Sequence, residues 1–162
     1  MASLACMLHD IGHQVSGSDI AKHIFTEDEL RKRNIPIHDF NQVKFENDWT
    51  VVVGNAFLDT FDEVMAAKAN PTIKVVRYHD FLGELMKQYF SIAISGSHGK
   101  TTTTSMIAAM LTPSKKTGYL IGDGMGKLSK DDQYLVIEAC EYRRHFLSYF
   151  PNIAVVTNVD LD

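Results

Sequence analysis

The sequence predicts an α/β fold in two parts. A Rossmann-like parallel-sheet domain covers residues 1–88, and an α/β domain built on a phosphate-binding loop covers 89–162. Three observations predict this. Short apolar, β-branched runs at 49–53, 73–76, 89–94, 133–139 and 152–157 read as buried strands. Helical patterns fall between them, the alternation of a parallel α/β sheet. One strand runs straight into Ser95-Gly96-Ser97-His98-Gly99-Lys100-Thr101-Thr102, and a helical run at 103–111 follows.

Composition narrows the class. The chain has 162 residues, 45% hydrophobic and 22% charged, which fits one or two small globular domains. The net charge of −4 gives no global field for nucleic acid or an anionic membrane. Cys6 and Cys140 lie far apart without metal spacing, which points to free thiols in a reducing compartment, the cytoplasm. No apolar run approaches the ~18 residues of a membrane helix. Residues 1–8 lack the basic start of a signal peptide.

The elements follow in order. Residues 2–8 form a helix with Gly12 near its C-terminal cap. Residues 13–16 form a short strand ending at Gly17-Ser18-Asp19. Thr26-Glu27-Asp28-Glu29 is a capping box opening a helix to about Asn34. An extended piece at 35–37 and a strand at 49–53 follow. Helices at 59–69 and 81–88 flank the strand at 73–76, and the domain boundary falls near Gln88. Beyond the loop helix, 117–121 is a strand and Gly122-Asp123-Gly124-Met125-Gly126 a mobile turn. Strands at 133–139 and 152–157 complete the second part.

The loop carries the chemistry. Glycines let backbone N–H groups face phosphate oxygens, and the helix N-terminus adds partial positive charge. Lys100 would reach the β- and γ-phosphates, and the Thr101 hydroxyl would hold Mg²⁺. A strict Walker loop needs glycine five residues before Gly99, where Ile94 stands, so this is the tighter Gly-x-x-Gly-Lys-Thr-Thr form. The bland alternative is an incidental Gly-Lys-Thr ahead of a helix. Ser95, Glu138 and Asn158 all fall at C-terminal strand ends, where open parallel sheets bind ligands. Glu138 ends an apolar strand, so its direction is fixed; Glu141 comes after the strand, which favours Glu138 as the metal carboxylate. Asp19 suits a ribose-binding acid at a second strand's end, and equally a helix N-cap or turn aspartate.

Several of these segments resemble the Mur ligases, the amide-forming enzymes of peptidoglycan synthesis. The segments are the loop at 95–104, Val136-Ile137-Glu138-Ala139-Cys140-Glu141 with Tyr142-Arg143-Arg144-His145-Phe146, Ala154-Val155-Val156-Thr157-Asn158-Val159-Asp160, Val15-Ser16-Gly17-Ser18-Asp19, and Gly54-Asn55-Ala56-Phe57. His98 and the threonine run look most like the branch that adds the first amino acid. The resemblance implies ATP and Mg²⁺, with UDP-N-acetylmuramate and L-alanine as the other substrates. ATP phosphorylates the lactyl carboxylate, and the amine then attacks the acyl phosphate. By resemblance, Gly96, Ser97, His98, Gly99, Lys100, Thr101 and Thr102 hold the nucleotide, with Lys100 on the γ-phosphate. Thr101 and Glu138 bind magnesium, Lys100 and Glu138 being the catalytic pair. Ser18, Asp19, Asn55 and Ala56 border the UDP moiety. Arg144 and His145 approach the sugar acid or form interdomain bridges.

The chain opens inside its first helix and stops at Asp162. The expectation is therefore a fragment, lacking the first strand and its glycine loop, and not competent alone. Rival readings are a murein peptide ligase or folylpolyglutamate-type synthetase of the same superfamily, and a non-catalytic nucleotide-binding module.

Overall fold

The computed structural model describes residues 1–20, 27–122, 124–139 and 142–160, the side chains of 142–144 excepted. In order, α1 is Ala2–Asp10, β1 Gly17–Asp19, α2 Asp28–Lys32, β2 Ile37–Asp39, β3 Thr50–Val53, α3 Asp62–Ala69, β4 Lys74–Arg77 and α4 Tyr78–Met86. Then come β5 Phe90–Ser95, α5 Lys100–Leu111, β6 Thr117–Leu120, β7 Gly126–Lys127, β8 Tyr134–Glu138, a 3-10 helix Tyr142–Ser148, and β9 Ile153–Val156.

The second half forms one five-stranded sheet in the order β7-β6-β8-β5-β9, parallel except for β7. β5 sits between β8 and β9, which suits its run Ser91-Ile92-Ala93-Ile94, buried throughout. Because side chains alternate along a strand, Ile92 and Ile94 face one side with Val136, against Ile107 and Leu111 of α5. Ala93 faces the other side, in a larger core with Leu135, Ile137, Leu82, Leu85, Met86, Leu4 and Met7. α4 thus presents Leu82, Leu85 and Met86, spaced i, i+3, i+4, to that core, and α1 adds Leu4 and Met7. A methyl group at Gly126 would collide with the Ser3 carbonyl, so α1 lies directly on β7.

The first half pairs differently. β1 pairs in parallel with β2, and β3 with β4, but no ladder among the described residues joins the two pairs. Each is a pair of parallel neighbours such as a doubly wound sheet contains. Arg33 ties the first helices together, with Nε 2.8 Å from Asp10 Oδ1 and Nη1 2.7 Å from Glu29 Oε2.

Several element bounds differ from the sequence expectation. The strand expected at 13–16 forms instead at Gly17–Asp19, where Gly17–Asp19 finds its ladder with Ile37–Asp39. The helix expected from 59 begins at Asp62; Arg77 holds the preceding turn, Nη1 donating to Phe57 O at 2.6 Å. α4 begins at Tyr78, ahead of 81, with Asp80 in its first turn facing the positive helix end. α5 begins at Lys100, ahead of 103, because Gly99 in the left-handed conformation turns the chain and its carbonyl accepts from Thr103 N–H; within the helix Thr104 Oγ1 donates to Lys100 O and Ser105 Oγ to Thr101 O, each at 2.8 Å. The glycine-rich stretch at 122–126 is a hairpin connection, closed by Ile121 N–H donating to Met125 O at 2.9 Å. In the expected capping box, Thr26 lies outside the described residues, and α2 has Glu27 at its N-cap position.

Candidate functional site

β5 delivers the chain into the loop 95–99, and Gly99, with φ 79°, turns it into α5. Gly96 has φ 135°, and an added Cβ would strike Thr157 Oγ1 and press on the Asn158 backbone. Glycine is therefore required there on two counts: a backbone conformation that L residues avoid, and space. The helix ladder starts with Thr103 N–H donating to Gly99 O at 2.9 Å. Nothing lies within 4 Å of where a Gly99 Cβ would project.

The end of β9 braces the loop from outside. Asn158 O accepts from Ser97 N–H at 3.2 Å, and Asn158 Oδ1 accepts from His98 N–H at 2.9 Å. Thr157 Oγ1 donates to His98 O at 2.6 Å, and Asp160 N–H donates to Ser97 Oγ at 3.0 Å. The amides of Ser97 and His98 are thus engaged by Asn158. Lys100 folds back over the loop, with Nζ 2.6 Å from Gly96 O and 3.3 Å from Ser97 O.

Glu138 comes to the same place along β8. Ile94 pairs with it in register, and Ala139 N–H donates to Ile94 O at 2.8 Å. Its carboxylate is held at both oxygens: Thr101 Oγ1 lies 3.2 Å from Oε1, and Gly122 N–H donates to Oε2 at 2.8 Å. Gly122 is the functional residue that the sequence reading missed. A Cβ there would come within 2.7–2.8 Å of the Glu138 carboxylate. The only sequence signal was the glycine itself, in a stretch read as a turn.

Two oxygen donors side by side, one a carboxylate, beside a glycine-lined loop suit a hard divalent cation that takes its remaining ligands from phosphate and water. Among the described residues there is no cluster of three His, Cys, Asp or Glu side chains placed to hold a metal ion. An apolar hollow of about 590 Å³ lies beside the loop, between Ser95–Ser97, Phe146 and Val156.

The other residues gather at the ends of β1 and β3. The Ser18 hydroxyl donates to Glu63, and Asp19 Oδ1 accepts from Ile20 N–H at 2.8 Å. Met1 lies between the two strands: its side chain is 3.5 Å from where a Gly54 Cβ would stand, and its amine senses Asp19. Burial pushes the pKa of that amine down, against the opposing pull of the Asp19 charge. Asn55 and His145 meet, Asn55 Nδ2 standing 2.9 Å from His145 Nδ1, while Ala56 is exposed beside them. The Arg144 side chain, Cys140 and Glu141 lie outside the described residues.

A parallel α/β sheet with a glycine loop between strand and helix, and a carboxylate on the neighbouring strand end, has the form of a mononucleotide-binding fold. Comparison with known families makes the class specific. The family model described as "Mur ligase family, catalytic domain" matches residues 1–90, and "Mur ligase middle domain" matches residues 94–162. The chain belongs to the Mur ligase family.

Solved structures agree in fold. The UDP-N-acetylmuramate:L-alanyl-gamma-D-glutamyl-meso-diaminopimelate ligase from Neisseria meningitides superposes with TM-score 0.83 at 26% identity, covering 100% of this chain and 58% of that one. A murein peptide ligase from Psychrobacter arcticus 273-4 gives 0.77 at 28%, covering 100% and 41%. A UDP-N-acetylmuramate-alanine ligase from Thermotoga maritima gives 0.82 at 26%, covering 100% and 39%. The chain therefore spans between 39% and 58% of the length of these relatives. Among the described residues no helix is long and apolar enough to cross a membrane.

Proposed function

We propose that this chain carries the nucleotide and UDP-substrate sites of a UDP-N-acetylmuramate–L-alanine ligase, a cytoplasmic ATP-dependent enzyme of peptidoglycan synthesis. Residues 1–88 form the UDP-substrate unit and 89–162 part of the ATP unit. The observation that carries the reading is the meeting of Thr101 Oγ1 and Glu138 Oε1, 3.2 Å apart, at the mouth of the Gly96–Gly99 loop.

Phosphoryl transfer asks a protein mainly to position the groups and neutralise oxygens. Thr101 and Glu138 would hold Mg²⁺, which when bound supplies charge to the phosphate oxygens. The Gly122 N–H fixes Glu138, so the carboxylate does not have to reorganise. Lys100 already points its ammonium into the loop, where it donates to Gly96 O. Phosphate oxygens are stronger acceptors for that ammonium than neutral carbonyls. The acid substrate, once phosphorylated, is attacked by an amine, so no covalent nucleophile is needed from the protein. Ser18, Asp19, Asn55 and Ala56 edge the uridine side, and Arg144 and His145 the sugar-acid side.

The test is equilibrium binding of Mg-ATP and of UDP-N-acetylmuramate, with Glu138→Gln as the probe. Glu138→Gln keeps the shape and removes the charge, so nucleotide affinity should lose its magnesium dependence. A Glu138→Gln protein that still binds nucleotide with undiminished magnesium dependence contradicts the reading. A second reading, a murein peptide ligase, has support in the equal similarity to enzymes of that name, at 26% and 28% identity. Ligation assays offering L-alanine against the tripeptide L-alanyl-γ-D-glutamyl-meso-diaminopimelate separate the two.

A further inference from the structure

Asn55, His79 and His145 come from three elements and meet at one point. Asn55 follows β3, His79 is the second residue of α4, and His145 lies in the 3-10 helix beyond Glu138. His79 Nδ1 is 3.0 Å from Asn55 Oδ1, and Asn55 Nδ2 is 2.9 Å from His145 Nδ1. The two imidazoles stack with centroids 4.3 Å apart and planes 7° from parallel.

The asymmetry of the amide assigns the protons. A carbonyl oxygen only accepts and an NH₂ group only donates. With the Asn55 amide in this orientation, the pairing calls for a hydrogen on His79 Nδ1 and for the Nε2–H tautomer of His145. The contact extends along α4. Ser148 Oγ donates to Asp80 Oδ1 at 2.8 Å, and a methyl at Gly83 would collide with the Ser148 carbonyl. Gly83 is thus the close-approach point of a packed seam between α4 and residues 142–148. Glycine inside a helix costs about 1 kcal/mol against alanine, so its place at this contact is informative.

We infer that His79 is a positioning residue: through Asn55 and His145 it pins the 142–148 segment onto the first half of the chain and holds the ligand edge at Asn55 and Ala56 in fixed relation to Glu138. Both of its contacts need an imidazole. An asparagine at 79 keeps the donor and loses the ring. A phenylalanine keeps the ring and loses the donor. The identity of the ligand rests on the proposed function, but the seam itself does not.

The experiment uses the 162-residue chain and the variants His79→Ala, His79→Asn, His79→Phe and Asn55→Ala. Amide hydrogen exchange at 142–148 is compared with the central strand at 92–94. Long-range ¹H–¹⁵N spectra of the wild type read the His145 tautomer. Affinities for UDP-N-acetylmuramate and Mg-ATP are measured separately. Losing one hydrogen bond and the ring contact in His79→Ala, or both amide hydrogen bonds in Asn55→Ala, should speed exchange at 142–148 about tenfold, with 92–94 unchanged. His79→Asn and His79→Phe should each restore part of the protection. UDP-N-acetylmuramate affinity should fall about tenfold while Mg-ATP affinity holds.

Wild-type exchange at 142–148 in His79→Ala, an Nδ1–H tautomer at His145, or equal losses of both affinities in variants that keep 92–94 protected each overturn the inference. Should His79→Ala unfold, the two partial variants and the wild-type tautomer decide. A wild type that binds no UDP-N-acetylmuramate removes the substrate reading alone, and exchange and tautomer still decide the seam.

Discussion

β5 buries four of its six residues, whereas β3 buries only Val53 of four and β4 buries none. Both regions are rich in β-branched residues, so composition does not account for the difference. Neighbours do. β5 has a ladder on each side and a core on each face. Among the described residues β3 has a single parallel partner, and Val51 and Val52 stay half-buried. The comparison teaches that strand propensity makes a strand, but ladder partners and covered faces set how much burial stabilises it. The second half is thus built on strands laddered and covered on both sides, whereas the first half buries Val53, Val64, Ala67 and Ile73 beside short strand pairs and adds ties such as Arg33 to Asp10 and Glu29.

The sharpest way to break the comparison is to cut each region equally. Ile137→Ala, at a fully buried position in β8, should cost about 2–5 kcal/mol in denaturant unfolding. Val51→Ala in β3, half-exposed, should cost about 1 kcal/mol or less. Equal losses would mean that the first-half sheets are as well packed as the second. Between these falls Gly96→Ala. Its φ and the Thr157 contact predict a cost of about 1–3 kcal/mol and loss of Mg-ATP binding, read by thermal melts with and without nucleotide. A Gly96→Ala protein that melts and binds as wild type would show that the loop adapts. Of the two loop variants, the smaller effect is expected from Asn158→Ala. It frees the His98 amide from its side-chain bond, should cost about 0.5–1.5 kcal/mol, and should weaken nucleotide affinity without abolishing it.

Much of the second half was legible because its signals are local. The run into the glycine loop, the Lys-Thr pair and Glu138 at a strand end are all readable along the chain. Thr101 and Glu138 meet side by side, and Lys100 Nζ folds onto Gly96 O of the same loop. What was not legible came from tertiary contact. Gly122 looks like a turn glycine until β6 and β8 bring it against Glu138. Asn158 was placed at a strand end, but its grip on the Ser97 and His98 amides depends on the parallel β5–β9 pairing. His79 carries no motif, and its meeting with Asn55 and His145 joins positions 24 and 90 residues apart in sequence for Asn55. The split of the first half into two strand pairs is likewise a matter of ladders, which periodicity along one strand does not report.

The most direct test of the central claim, that the 95–102 loop is the nucleotide site, is calorimetric titration of Mg-ATP into the wild type and Lys100→Ala. The Lys100 ammonium bonds the loop carbonyls of Gly96 and Ser97, so its loss should lower the melting temperature by no more than a few degrees. The account predicts measurable binding by the wild type and none by Lys100→Ala with its fold intact. Equal affinity in the two proteins would contradict it.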